Sequence, residues 1–474
     1  MEPNKLFISE NIIVDNKFLN GGILVNNAGK ITKVLRHHEI APYKKCQNVE
    51  IIDVGTHVIM PGIVDSHVHV NEPGRTDWEG YETATRAAAA GGVTTIVDMP
   101  LNSIPPTTTL HNFKQKLKAA QGKVYVDVAF WGGVIPGNQD DLMDLINAGV
   151  VGFKCFMCES GVEEFPCVNK EQIEVAMKIL ENTDSVLAFH AELDGNGSAA
   201  SNDDSCQYST FLRTRPASME INAIKLIIEL ARNYNVRVHI VHLSTADALP
   251  IIAEAKKDGV KLTVETCHHY LSIKNEDIPE KATQFKCTPP IRDLTNLNLL
   301  WQAIKNGLLD MVVSDHSPCT SDLKCLESGN FMQAWGGISS LQFGNKNIVK
   351  LGFALVLIDL SLFWTQVKQH GLSIFDINKY MTYMPAKLVG LHNVKGQIAT
   401  NYDADFVIWD PHSIIHVEPE MIQHKNKITP YLGKNLYGKV LKTVVRGHVV
   451  YDNEKFVNKP NGKLIQNVIK DEII

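Results

Sequence analysis

The sequence predicts an α/β chain, a (β/α)8 TIM-like barrel carrying a small β-sandwich formed from both termini. Two features of organisation and one of chemistry lead there. Apolar, β-rich runs recur eight times between residues 63 and 315 and alternate with helical patterns, which is the unit count and size of such a barrel. Short strands with turn signals fill the first sixty residues or so and resume in the last eighty. Several of the barrel runs also end in residues of the kind that ligate metals. The expected division is a composite β domain over 1–58 and 396–474, and a barrel over 59–395.

Taken in order, residues 5–14, 22–25 and 30–34 read as strands, with Asn27-Ala28-Gly29 as a turn between the last two. The barrel runs follow at 63–70, 94–99, 124–131, 151–156, 186–190, 236–242, 261–265 and 311–315. Between them lie helical patterns such as 77–90, closed by Gly91-Gly92, and 218–234, closed by Asn235; Gly or Asn just past a helix end is a stop signal. Strands at 405–409, 440–445 and 448–451 return the chain to the β domain. A doubly wound open sheet is the rival arrangement, but no glycine fingerprint follows the first strand.

Composition bounds the partners. The chain has 474 residues, 44% hydrophobic and 21% charged, with a net charge of −6, which suits a chain that buries a substantial core. Its basic residues are scattered, which argues against a nucleic-acid surface. The start, Met1-Glu2-Pro3-Asn4-Lys5, lacks an apolar signal core, and Asp471-Glu472-Ile473-Ile474 is not a peroxisomal tripeptide. Nine cysteines without framework spacing read as reduced thiols. The longest apolar stretch, 351–364, is interrupted by Asp359 and too short to span a bilayer. The expectation is an intracellular protein, cytoplasmic or organellar, that takes a small molecule.

The polar residues of the barrel runs carry the chemistry. His67 and His69 close the first run, and a side-chain period of two turns them the same way. Lys154 sits inside the apolar fourth run; a lysine there is costly unless paired or neutralised, and burial frees its amine for chemistry. The blander reading is an edge position with the ammonium reaching water. His190 ends the fifth run, His242 the sixth and Asp315 the eighth. His239, three residues before His242, faces the other way and reads as structural. Each histidine alone is more often a satisfied core residue than a ligand. Together, residues from five strand ends meet at one barrel mouth, and imidazole with carboxylate suits zinc and related divalent ions. Cys155-x-x-Cys158 has no second pair and no redox context, so it is read as neither zinc finger nor thiol switch.

These residues carry a family resemblance. Pro61-Gly62-Ile63-Val64-Asp65-Ser66-His67-Val68-His69 resembles the opening motif of the cyclic amidohydrolases, a family that includes dihydroorotase, hydantoinase/dihydropyrimidinase and allantoinase. The similarity continues through Lys154, His190, His242 and Asp315 and covers nearly the whole chain. It implies two divalent metal ions, zinc foremost, bridged by an N6-carboxylysine at Lys154. His67, His69, Lys154 and Asp315 would hold one ion, and Lys154, His190 and His242 the other. It further implies hydrolysis of a ring amide by a metal-bridged hydroxide, with Asp315 as catalytic acid–base, and a homo-oligomer, dimer or tetramer.

Within the family, dihydroorotase-like chains place an arginine two residues after the second histidine, where this chain has Asn71; asparagine is a poor replacement for a bidentate carboxylate clamp. The segments 71–80, 155–166 and 335–340 resemble the allantoinase branch, which implies allantoin as substrate and allantoate as product. The alternatives are a hydantoinase or dihydropyrimidinase, or a catalytically silent scaffold relative. Asn71, Asn102 and Thr288 are the substrate-contact candidates, with turn formation as their bland reading. Two departures stand out: His268 occupies a position where the family usually has proline, and an apolar segment at 344–361 reads as an insertion after the last barrel strand.

Overall fold

The computed structural model describes residues 4–193, 197, 203–341, 359–453, 455–457 and 459–466. All eight expected barrel runs are strands. Ile63–Val68 pairs in parallel with Val93–Asp98, and that strand with Asp127–Phe130. The chain continues into Gly132–Gly133, which pairs with Phe153–Phe156. From there the ladder runs through Val186–His190, Arg237–Ile240, Leu262–Cys267 and Met311–Val313. A parallel bridge from Val68 to His316, with His69 N–H donating to the His316 carbonyl at 2.8 Å, brings the last strand back to the first. Both faces of these strands are covered, so they read as continuous apolar runs rather than alternating ones.

The crossovers are helices whose signals are local. Lys170–Leu180 starts from Asn169, whose side chain accepts from Gln172 N–H at 2.9 Å while Gln172 accepts from Asn169 N–H at 2.9 Å. Its buried positions, Ile173, Ala176, Met177 and Leu180, follow the 3–4 spacing of one helical face. Each large side chain buried there contributes roughly 1.5–3 kcal/mol. Leu294–Lys305 is capped in the same manner by Asp293, which accepts from Asn296 N–H at 2.8 Å.

Some boundaries differ from expectation, each for a visible reason. The helix expected from residue 77 runs only over Tyr81–Ala90. Gly80 has φ +151°, outside the helical region, and the carbonyls of Asp77 and Trp78 accept from the Asn426 amide instead. The third barrel strand begins at Asp127 rather than 124, because the Val124 carbonyl accepts from Gly462 N–H at 2.8 Å in the returning C-terminal segment. The helix expected at 218–234 spans Ala217–Asn233.

The terminal strands build one sheet. From one edge it runs Lys455–Phe456, His448–Asp452, Asn435–Val445, Phe406–His416, Val58–Pro61, Asn4–Val14, Lys17–Val25 and Ile31–Arg36, with Val49–Asp53 also paired to Asn4–Val14. N- and C-terminal halves meet where Phe406 opposes Pro61 and Trp409 opposes Val58. The boundary expected at 58/59 therefore falls inside a sheet strand. Phe7, Ile12, Ile23, Ile59, Phe406 and Val444 form a separate core in this sheet.

At the seam with the barrel, Lys395 contacts Asp127, Asp403 and Asp405 at 2.8, 3.2 and 2.6 Å. Of the expected insertion at 344–361, residues 344–358 lie outside the described residues; its last three open the helix Asp359–Gln369, in which Phe363 stacks on Trp301 at 5.8 Å. No helix among the described residues is long and apolar enough to cross a membrane, and none of the nine cysteines, all described, is in a disulfide.

Candidate metal centre

The strand ends bring His67, His69, Lys154, His190, His242 and Asp315 to one mouth, all buried. His67 closes the strand Ile63–Val68 and His69 lies just past it. Their Nε2 atoms converge on Asp315 Oδ1 at 3.2 and 3.5 Å, and His67, His69 and Asp315 form a cluster that could hold a metal ion. On the other side of the mouth, His190 Nδ1 and His242 Nε2 are 3.0 Å apart. The His67 and His242 rings lie 5.4 Å apart, so the two groups are contiguous. Lys154, mid-strand in Phe153–Phe156, sits with Nζ 4.9 Å from the Phe156 ring centroid and has no hydrogen-bond acceptor among the described residues.

Electrostatics follow from that burial. Desolvation pulls the Lys154 amine down to about 8, with Asp315 and Glu265 opposing. Burial likewise lowers His69, His190 and His242. For Asp315 burial acts upward, but the charge of His67 and the hydrogen bond from His69 outweigh it and hold the carboxyl well below its usual range. The site thus favours neutral imidazoles at His69, His190 and His242, an ionised Asp315 and an amine that gives up its proton readily, the protonation pattern of a ligand set.

The donor set fits a metal on one further ground. His67 Nδ1 contacts Glu265 Oε1 at 2.5 Å, which places a proton on Nδ1. Nε2, the other ring nitrogen, faces Asp315 Oδ1 at 3.2 Å, a position that a cation or a second ring proton can fill. His190 repeats the pattern, with Nε2 against Glu192 Oε2 at 2.7 Å and Nδ1 facing His242.

Four positions here have left-handed backbones: Asn71 (φ 66°), Asn102 (65°), His242 (40°) and Asp315 (44°). Asparagine tolerates this region; for other side chains it costs about 1–3 kcal/mol and concentrates at functional sites. Asn71 donates to the Pro318 carbonyl at 3.3 Å, the Asn102 amide lies 3.1 Å from His69 Nδ1, and both side-chain carbonyl oxygens are buried without a donor. Thr288 lines a cleft of about 370 Å³ together with Phe156, His190, Arg215, Lys286 and Trp335.

Sequence reasoning missed Glu265, Glu192 and Arg215. Glu265 is a charged residue inside the apolar strand Leu262–Cys267, the same signal that singled out Lys154. Glu192 lies two residues beyond His190, just past the strand end, and pairs with Arg215 at 2.5 Å. His239, read from the sequence as structural, is held by Thr263 at 2.8 Å and Glu265 at 3.0 Å. His268 packs on Phe363 at 5.9 Å and belongs to no metal-capable cluster among the described residues. Its neighbour His269 does, with Cys267 and Asp315.

Residues 58–450 match the amidohydrolase family. The chain belongs to that family. Within it, the chain is 52% identical over 387 residues to the mitochondrial allantoinase of Aquarana catesbeiana, covering 82% of this chain and 76% of the relative. It is 45% identical to the allantoinase of Saccharomyces cerevisiae, with 96% and 97% of the two chains covered. Among solved structures of the family, the L-hydantoinase (dihydropyrimidinase) from Arthrobacter aurescens superposes with a TM-score of 0.86 at 27% identity, over 98% of this chain and 100% of that one. The dihydropyrimidinase from Brevibacillus agri gives 0.85 at 25%, over 98% of each chain. This amidohydrolase is thus a hydrolase of cyclic amides, built as a TIM-like barrel with a β-sandwich.

Proposed function

We propose that the chain opens the hydantoin ring of allantoin by hydrolysis, giving allantoate. The observation that carries this reading is the convergence of His67 and His69 on Asp315 at 3.2 and 3.5 Å beside an unpartnered Lys154, in a chain close to allantoinases of three kingdoms. His67, His69, Lys154 and Asp315 would hold one divalent ion, and Lys154, His190 and His242 a second. Zinc is the expected metal, with Lys154 present as the N6-carboxylysine; a lysine amine pulled down to about 8 is a competent nucleophile for carbon dioxide. Bound metal supplies Lewis-acid polarisation of the ring carbonyl and an acidified water.

The chain's own residues do the rest. Asp315, already ionised, accepts the proton of the attacking water and returns it to the departing ring nitrogen. The buried side-chain oxygens of Asn71 and Asn102 suit the N–H groups of a ureide, and Thr288 lines the cleft beside His190. At about 370 Å³ the cleft is of small-ligand size. The division into a catalytic barrel and a flanking β domain from both termini belongs to this reading, with Val58–Pro61 on the β-domain side.

The test is an assay of purified, metal-analysed protein on allantoin, with hydantoin, dihydrouracil and dihydroorotate alongside. Allantoate formation with about two metal ions per chain is expected. Two metals with a different ring opened would overturn the substrate, and no metal with no ring opened would overturn the enzyme.

A further inference from the structure

The mouth contains carboxylates that touch no substrate-facing space yet contact the histidines from behind. Glu265, on the seventh barrel strand, is fully buried. Its Oε1 meets His67 Nδ1 at 2.5 Å and the backbone N–H of His242 at 3.2 Å, while Oε2 takes His239 Nε2 at 3.0 Å. Glu192 is equally buried and meets His190 Nε2 at 2.7 Å with the same oxygen that pairs with Arg215 Nη1 at 2.5 Å. Arg215 in turn lines the cleft.

A neutral imidazole has one proton, and the acceptor behind it decides which nitrogen keeps it. Glu265 leaves the lone pair of His67 on Nε2, facing Asp315. Glu192 leaves that of His190 on Nδ1, facing His242. Lone pairs on opposite ring atoms are therefore presented in two directions, one for each side of the mouth.

We propose that Glu265 and the Arg215–Glu192 pair are positioning residues, each fixing the proton of one imidazole so that His67 and His190 serve different metal ions. Arg215 then links the cleft wall to the His190 side alone, while Glu265 ties His67 to the backbone of His242. This inference rests on the metal-binding reading above and assigns side chains that the reading leaves without a role.

The experiment loads the full chain with zinc and withdraws the metal with a chelator of known affinity, following bound zinc by atomic emission. The wild type is compared with Glu265→Gln, Glu192→Gln and Arg215→Lys; the last changes a side chain that reaches solvent, and so folds even where a buried substitution does not. Each variant is expected to lose one ion per chain at about 10–100-fold weaker chelation, the range for removing an outer-shell partner, and to keep the other near its wild-type affinity. Metal-free melting temperatures should stay close to that of the wild type, which separates positioning from mere packing. Ring ¹⁵N spectra of the wild-type protein should show His67 protonated at Nδ1 and His190 at Nε2. Withdrawal curves that superpose on the wild type, or the opposite tautomers, would overturn the proposal. A wild-type chain that binds no zinc at all would instead overturn the reading on which it rests.

Discussion

Two lysines of this molecule are buried to the same degree and live in opposite surroundings. Lys154 at the barrel mouth has no acceptor for its amine, whereas Lys395 at the seam with the β-sandwich touches three aspartates within 3.2 Å. Burial lowers the pKa of Lys154 to about 8. At Lys395 the same burial is overcome by Asp127, Asp405 and Asp403, and the pKa rises. A buried charge says little about function until its partners are counted. The paired one fastens two parts of a fold; the unpaired one is the lysine we propose for chemistry. Lys286 and Lys324 fall between, donating only to carbonyls of the cleft wall such as those of Ala334 at 2.5 Å and Trp335 at 2.9 Å.

The comparison can be broken most directly at Lys154. Lys154→Met should reduce ring-opening turnover by at least about 10³-fold, the upper range for losing one group of a preorganised site. In the metal-free protein its unfolding free energy should move by less than about 1.5 kcal/mol, since volume is conserved and no hydrogen bond is lost. A large destabilisation in a urea titration would mean that this lysine is structural after all. Asp315→Asn probes the same mouth and should cost about 10²–10⁴-fold in kcat with metal retained, read from steady-state kinetics beside metal analysis. Wild-type kcat in that variant would remove Asp315 as the proton carrier.

Lys395→Met is the mirror experiment. Leaving Asp127, Asp403 and Asp405 without their shared cation should cost about 3–5 kcal/mol of stability, while turnover per folded molecule stays near the wild type. An active-site loss without a shift in the urea midpoint would reverse the contrast drawn here.

The smallest effect concerns Lys286, whose burial, together with the charges of Lys324 and Arg215, lowers its pKa from 10.5 to about 7. Between those values the unfolded chain binds the proton that the folded chain has released, so stability from this group rises with pH across the window and is least below pH 7. Urea midpoints at pH 7 and pH 9 should show the rise, and Lys286→Met should flatten it. An unchanged slope in the variant would assign the dependence to other groups.

Much of this was legible because barrel strands are chemically simple. In runs such as Val186–His190 every residue is buried, so one polar residue at a C-terminal end stands out. The same contrast exposed His67, Lys154 and Asp315. Glu265 offered it too, within Leu262–Cys267, but a carboxylate beside a strand end is readily taken for a solvated terminus. Its meaning depends on His67, nearly two hundred residues earlier in the chain. Arg215 has no sequence signal at all, since its place in the cleft follows from the turn between two helices. The left-handed backbones of His242 and Asp315 were equally hidden, because neither residue type announces that conformation.

The strand Val58–Pro61 leads straight into Ile63–Val68 and His67, and its partner in the sheet is Phe406–His416. A ribosome adding about 5–20 residues per second delivers the first of these strands many seconds before the second. Until then the entrance to the barrel has an open edge, and the nascent chain must be kept from pairing with its neighbours. For this fold, the early half of the protein waits on the late half, and protection during synthesis is part of what the sequence requires.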